Sequence, residues 1–299
     1  MRLMFAVALA MALISATAMP SLAQDDQDTV DPGSTAFNNG DYEGALKIWQ
    51  PKADAGDPDA MTNIGVLYQF GLGIPRSMKK AVEMYERAAQ LGFVTAQYDL
   101  ANLYYDGNGV DRDRKQAARW YTAAAQGGHA KAQFYLAQMY EDGVGVEASQ
   151  DTALQWYRKA ADQELPEAQY TLGNKLINGD NVEADPTKGS DLVLKAAEQR
   201  YIPAQILMGQ LYWRGKAVPK NLIEAYVWAS QAKDNAKLPR DQKRANDLFD
   251  GIKSNMSADQ VKAAEIELLA VAPKPKKDKS GKSGASDNGD ASGDSQPSE

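Results

Sequence analysis

The chain has 299 residues, a formal net charge of -7, 24% charged residues, no cysteine and a single histidine. That balance excludes disulfides and metal centres built on cysteine and histidine. It also disfavours nucleic acid, which needs a clustered basic surface, and acidic partners for the same reason. Residues 1–23 read as a secretory signal peptide. Arg2 supplies the positive end, Leu3 to Ala18 carry no charge, Pro20 breaks the run, and Ser21-Leu22-Ala23 offers small residues for cleavage after Ala23. The apolar run is shorter than the ~20 residues of a membrane span, and there is no cysteine to carry a lipid. The mature protein is therefore expected in the periplasm or secreted, without a stable membrane anchor, beginning with a flexible segment over 24–31.

Residues 32–59 read as a degenerate first repeat whose opening helix is short, because Pro32 and Gly33 lie just before it. From there one spacing dominates. Ala60, Ala96, Ala132, Ala168 and Ala204 are each 36 residues apart, and four of the five are followed by Gln. A period of about 20–50 residues signals a stacked array of supersecondary units. In the unit 96–131, Ala96, Leu100, Leu103 and Tyr104 form an apolar stripe at helical spacing. Gly107-Asn108-Gly109 stops that helix. Asp113 caps a second, whose buried face is Ala117, Trp120, Tyr121, Ala124 and Ala125. The cap position reads Asp41, Ser77, Asp113, Ser149, Asp185, Asn221 along the chain, all strong capping residues. The unit 168–203 departs from the pattern. Lys175 stands where leucine is expected, Gly189 where alanine is, and Leu192 where tryptophan is. It is expected to be the softest joint, a candidate hinge.

After Ala232 the period is lost. Two further helices, over 241–252 and 257–270, read as a C-terminal cap spanning 233–271, with Val261, Ile266, Leu268 and Leu269 as apolar surface on the second. Residues 272–299 lack aromatic and branched apolar side chains and read as a disordered tail. That tail begins basic and ends acidic.

The recurring pattern resembles the Sel-1-like repeat, a relative of the tetratricopeptide repeat. It stands here as Ala132, Leu136, Ala137, Tyr140, Gly143, Gly145, Val146, Ser149, Ala153, Trp156, Tyr157, Ala160 and Ala161. The resemblance extends over 60–232 and implies an all-α fold, a right-handed α-α superhelix of antiparallel helix pairs. The segment Ala36 to Tyr42 is similar to the turn of an ordinary tetratricopeptide unit.

Chemistry is scarce in this sequence. General-base catalysis near neutral pH usually uses histidine, and His129 occupies an inter-repeat position otherwise filled by Phe93, Leu165 and Tyr201. It is expected to be a packed turn residue. The acidic stretches near glycine, Glu141 to Gly145 and Asp111 to Asp113, do not follow a calcium-loop pattern. No catalytic residue, metal or cofactor is expected.

What remains is surface. Positions two, six and nine after each leading alanine share one helical face. They place Tyr98, Phe134 and Tyr170 in an aromatic row, and Asn102, Gln138, Asn174 and Gln210 in a row of amides. Tyr105, Glu141 and Trp213 complete the candidate groove. The resemblance implies that these first helices line a concave wall. The expected function is that of an exported, monomeric, non-catalytic scaffold binding a protein or peptide there, in envelope signalling or assembly. The alternative is a binder or hydrolase of cell-wall-derived or β-lactam-like ligands.

Overall fold

The structure is a computed structural model that describes residues 31–271; the expectations of a signal peptide over 1–23, of a flexible segment over 24–31 apart from Asp31, and of a disordered tail over 272–299 lie outside the described residues. All regular structure among the described residues is α-helical, an all-α repeat superhelix built from helix pairs. The chain divides into two compact units, one ending at Leu91 and one beginning at Gly92.

The first unit contains α1 (Pro32–Asn38), α2 (Tyr42–Asp54), α3 (Pro58–Phe70) and α4 (Met78–Gln90), each packed on the next. Helix α1 is short, as expected, but Pro32 and Gly33 lie inside it. Proline is tolerated in the first turn because its missing N–H would have no helical partner there. Asp31 organises this end. Its carboxylate caps Ser34 N–H, accepts from Trp49 Nε1 at 2.8 Å and pairs with Lys52. Those hydrogen bonds, Lys52 first and Trp49 next, hold the carboxyl far below its ordinary range.

The second unit contains α5 (Val94–Asp106), α6 (Arg114–Gln126), α7 (Ala130–Asp142), α8 (Gln150–Asp162), α9 (Pro166–Asn178), α10 (Pro186–Glu198), α11 (Ile202–Arg214) and α12 (Leu222–Asn235). It closes with α13 (Pro239–Lys253) and α14 (Ala258–Val271). Each helix from α5 to α12 packs on its successor, α13 also meets α11, and α14 packs on α12. All six capping residues read from the period accept a backbone N–H in the first turn of their helix. The first helix of each pair ends on a left-handed glycine, Gly71, Gly107, Gly143, Gly179 or Gly215.

The glutamine after each leading alanine explains part of the period. Gln133, Gln169 and Gln205 are buried, and the side-chain amide of each donates to a carbonyl of the preceding helix, at Ala125, Ala161 and Ala197. Their side-chain carbonyls accept in turn from Gln163, Gln199 and Asn235 at the end of the following helix. Each buried amide thus joins three successive helices, and a polar group so placed stays favourable only while its bonds are made. Gln169→Leu is expected to destabilise the unit by about 2 kcal/mol, because it leaves the Gln199 amide and the Ala161 carbonyl short of partners. Urea unfolding followed by far-UV circular dichroism checks this; an unchanged midpoint would count against the ladder.

The unit 168–203 is not the loosest joint. Glycines face each other across α9 and α10, and a Cβ on Gly173 would lie 2.7 Å from the Gly189 carbonyl oxygen, with the converse also 2.7 Å. The substitutions that weaken the sequence pattern let the two backbones meet directly. The closing helices pack on α12 through Leu248, Phe249 and Ile252 against Tyr226 and Ala229. Helix α14 differs from expectation: it buries Ala264, whereas Ile266 and Leu269 remain exposed.

Candidate functional site

Four of the sequence-selected residues gather at one recess of the second unit. The recess has a volume of about 380 Å³ and is lined by Gln138, Glu141, Asp142 and Tyr157 on one side and by Tyr170, Thr171, Asn174, Lys175 and Asp180 on the other. A second recess of about 190 Å³ is lined by Tyr105, Tyr135, Gln138, Met139, Asp142 and Val144. The two share Gln138 and Asp142, so they form one strip along α5, α7 and α9.

The floor of the larger recess is a polar network. Lys175 is only 9% exposed and pairs with Glu141, whose other carboxylate oxygen accepts from the Tyr157 hydroxyl at 2.7 Å. The Lys175 ammonium also lies 5.9 Å from the centre of the Tyr157 ring. The leucine position that reads Lys175 is therefore not a defect in the repeat; it is one half of an ion pair with the neighbouring repeat. Burial raises the Glu141 carboxyl, but the hydrogen bonds from Lys175 and Tyr157 together outweigh it, and the net displacement is downward.

Beside the smaller recess lies a tyrosine cluster. Tyr98 stacks on His129 with ring centres 4.3 Å apart, and Tyr135 stacks on Tyr121 at 5.8 Å. The Tyr121 hydroxyl donates to Asn102 Oδ1 at 2.5 Å. Burial pushes the Tyr98 and Tyr121 hydroxyls upward, so both stay neutral and serve as hydrogen-bonding groups, not as bases. Arg114 lies over the Tyr105 ring at 3.9 Å. His129 is the N-cap of α7, its Nδ1 accepting from Ala132 N–H at 3.1 Å. Burial lowers its affinity for a proton, with Lys131 adding to the effect. An imidazole that must keep its Nδ1 lone pair for a cap is committed to structure.

The remaining candidates are distributed unevenly. Phe134 is half-buried between Tyr135 and Tyr157 and belongs as much to the core as to the surface. Tyr170 lines the larger recess and meets Tyr201 edge to face at 5.6 Å. Asn174 accepts from Asn178 at 3.2 Å and keeps its amide hydrogens for the recess. Gln210 lies outside both recesses. Trp213 packs on α13, where a Cβ on Gly251 would lie 3.0 Å from its ring. It serves the closing helices rather than the strip.

Tyr135, 40% exposed, was not among the sequence-selected residues. Its register reads Asn63, Asp99, Tyr135, Thr171, Leu207 along the chain, so no recurrence marks it. Among the described residues no group of three or more His, Cys, Asp or Glu side chains could hold a metal ion. No helix of the described residues is long and apolar enough to cross a membrane.

The model of the Sel1 repeat matches five consecutive segments, residues 58–93, 94–129, 130–165, 166–201 and 202–237. The chain belongs to the Sel1 repeat family. The Sel1 array is similar to a Sel1 repeat protein from Oxalobacter formigenes, at 29% identity and a TM-score of 0.64, over 69% of this chain and 85% of that one. It is also similar to c5321, a protective antigen of uropathogenic Escherichia coli with an SLR fold, at 30% identity and a TM-score of 0.72. That likeness covers 79% of this chain and about half, 51%, of the antigen. None of the curated proteins compared with the chain matches it. Sel1 repeats generally form protein–protein interaction scaffolds and are typically non-catalytic.

Proposed function

We propose that this Sel1 repeat protein is an exported, non-catalytic scaffold that holds an extended peptide, or an extended segment of a partner protein, along α5, α7 and α9. The observation that carries this reading is the pair of adjoining recesses that share Gln138 and Asp142. A strip of rigid aromatic side chains alternating with amides suits main-chain recognition, since the rings supply contact area at low entropic cost and the amides pair with peptide N–H and C=O groups. The Gln138 side chain makes no hydrogen bond within the described residues, which leaves both ends of its amide for a partner. The export half of the reading rests on Arg2, the uncharged stretch to Ala18 and the small residues ending at Ala23.

Photo-crosslinkers placed at Tyr135 and Gln138, and at Arg158 on the exposed side of α8 as a control, test the scaffold in its native cell fraction. The expected result is a protein adduct at the first two positions and none at Arg158. Equal adducts at all three, or only glycan adducts, would overturn it. Export is checked on the same samples by sequencing the mature N-terminus, which should begin at Gln24.

A further inference from the structure

We infer that the segment held by this strip carries a lysine or arginine whose side chain enters the larger recess between α7 and α9. The inference rests on the scaffold reading and adds the chemistry of the partner. The recess already contains one cation, but Lys175 is used: it is paired with Glu141 and buried against Tyr157. With that pair mutually neutralised, two charges remain. Asp142 and Asp180 are exposed, line the same recess, and neither is bridged by a cation among the described residues. Asp142 acts on the interior as well, since its charge is one of those that raise the Tyr157 hydroxyl, after burial and Glu141.

The walls add groups that also favour a cation. Tyr170 presents an aromatic ring, whose face attracts ammonium and guanidinium groups, whereas the Tyr157 ring is buried and already faced by Lys175. Gln138 supplies an amide oxygen, whereas that of Asn174 already accepts from Asn178. An acidic side chain in the same place would meet two carboxylates and no free cation, and like-charge juxtaposition of that kind discriminates strongly between partners. A bare metal ion is a poor fit, because the described residues supply no group of three or more metal-binding side chains. A peptide fits better than a free amine because the recess adjoins the second one at Gln138 and Asp142, where Tyr105 and Tyr135 can take a neighbouring residue.

The test is selection of a random twelve-residue peptide library on the full chain, followed by affinity measurement with the Asp142→Asn/Asp180→Asn double variant. Both substitutions are at exposed positions outside the Glu141–Lys175 pair, and an unchanged melting curve confirms the variant is folded. The expected outcome is enrichment of lysine or arginine at one fixed peptide position. A selected peptide should then bind the double variant at least tenfold more weakly. Changing its basic residue to glutamine should cost the same against the native protein and little further against the variant. Enriched peptides without a basic residue, or basic peptides that bind both proteins alike, would overturn the inference and leave the scaffold reading standing. Failure to enrich any peptide would remove both.

Discussion

Replacing Glu141 by alanine is expected to destabilise the second unit by about 3 kcal/mol, the scale on which removing one partner strands the other charge of a buried pair. The side chains of Lys175 and Glu141 are 11% and 26% exposed, so the ammonium left behind has little water to turn to. The Tyr157 hydroxyl loses its acceptor in the same step. The cost should depend on pH in a defined direction. Because the folded-state carboxyl lies below its ordinary value, its contribution is fully present above about pH 4.5 and is lost as pH falls through the folded-state value. The gap between native protein and variant, read from urea midpoints, should therefore be wide at pH 7 and shrink toward pH 3. A double change, Glu141→Gln with Lys175→Met, should recover most of the loss. The positions corresponding to Lys175 in the neighbouring repeats are the apolar Met139 and Leu211, both buried. Equal midpoints for the Glu141→Ala variant and the native protein would show that the pair contributes nothing.

Gly173→Ala is expected to cost about 2 kcal/mol, whereas Gly209→Ala at the equivalent position of the next repeat should be close to neutral. Both lie inside helices, where alanine is intrinsically favoured by about 1 kcal/mol. What differs is the neighbour. At Gly173 the new methyl would lie 2.7 Å from the Gly189 carbonyl oxygen and 3.1 Å from the Val193 nitrogen, so α9 and α10 must separate. Overpacking of that kind costs about 1–3 kcal/mol. At Gly209 the nearest atom is Leu248 Cδ2 at 3.1 Å, the end of a side chain that can turn aside, and the Ala225 carbonyl is 3.4 Å away. Thermal melts of the two variants side by side decide the matter. Similar losses in both would mean that backbone proximity is not what keeps glycine at 173.

The sequence by itself determined the repeat, because the features that define it are local and recur. A cap needs Ser, Asp or Asn immediately before a helix, and a left-handed stop needs glycine immediately after one; all six caps stand where the 36-residue period places them. It also marked the face on which the recesses lie, since positions sharing a helical face follow from spacing alone. It did not determine which of those positions remain open. Trp213 and Gln138 lie on equivalent faces, yet the first is taken up by Gly251 of α13 and the second lines both recesses. That choice depends on where helices from outside the period come to rest.

The tertiary structure also reversed the meaning of one irregular repeat. Read along the chain, Lys175 and Gly189 are departures that weaken a unit. In space, the lysine reaches Glu141, 34 residues earlier, and the glycine brings two backbones together. Neither partner is visible from spacing, because each is a single pairing between helices and not a recurrence within one. Periodicity reports what every repeat shares. The recess, its buried ion pair and its two free carboxylates exist where one repeat differs from its neighbours, and only the packing of α7 against α8 and of α8 against α9 brings those differences together.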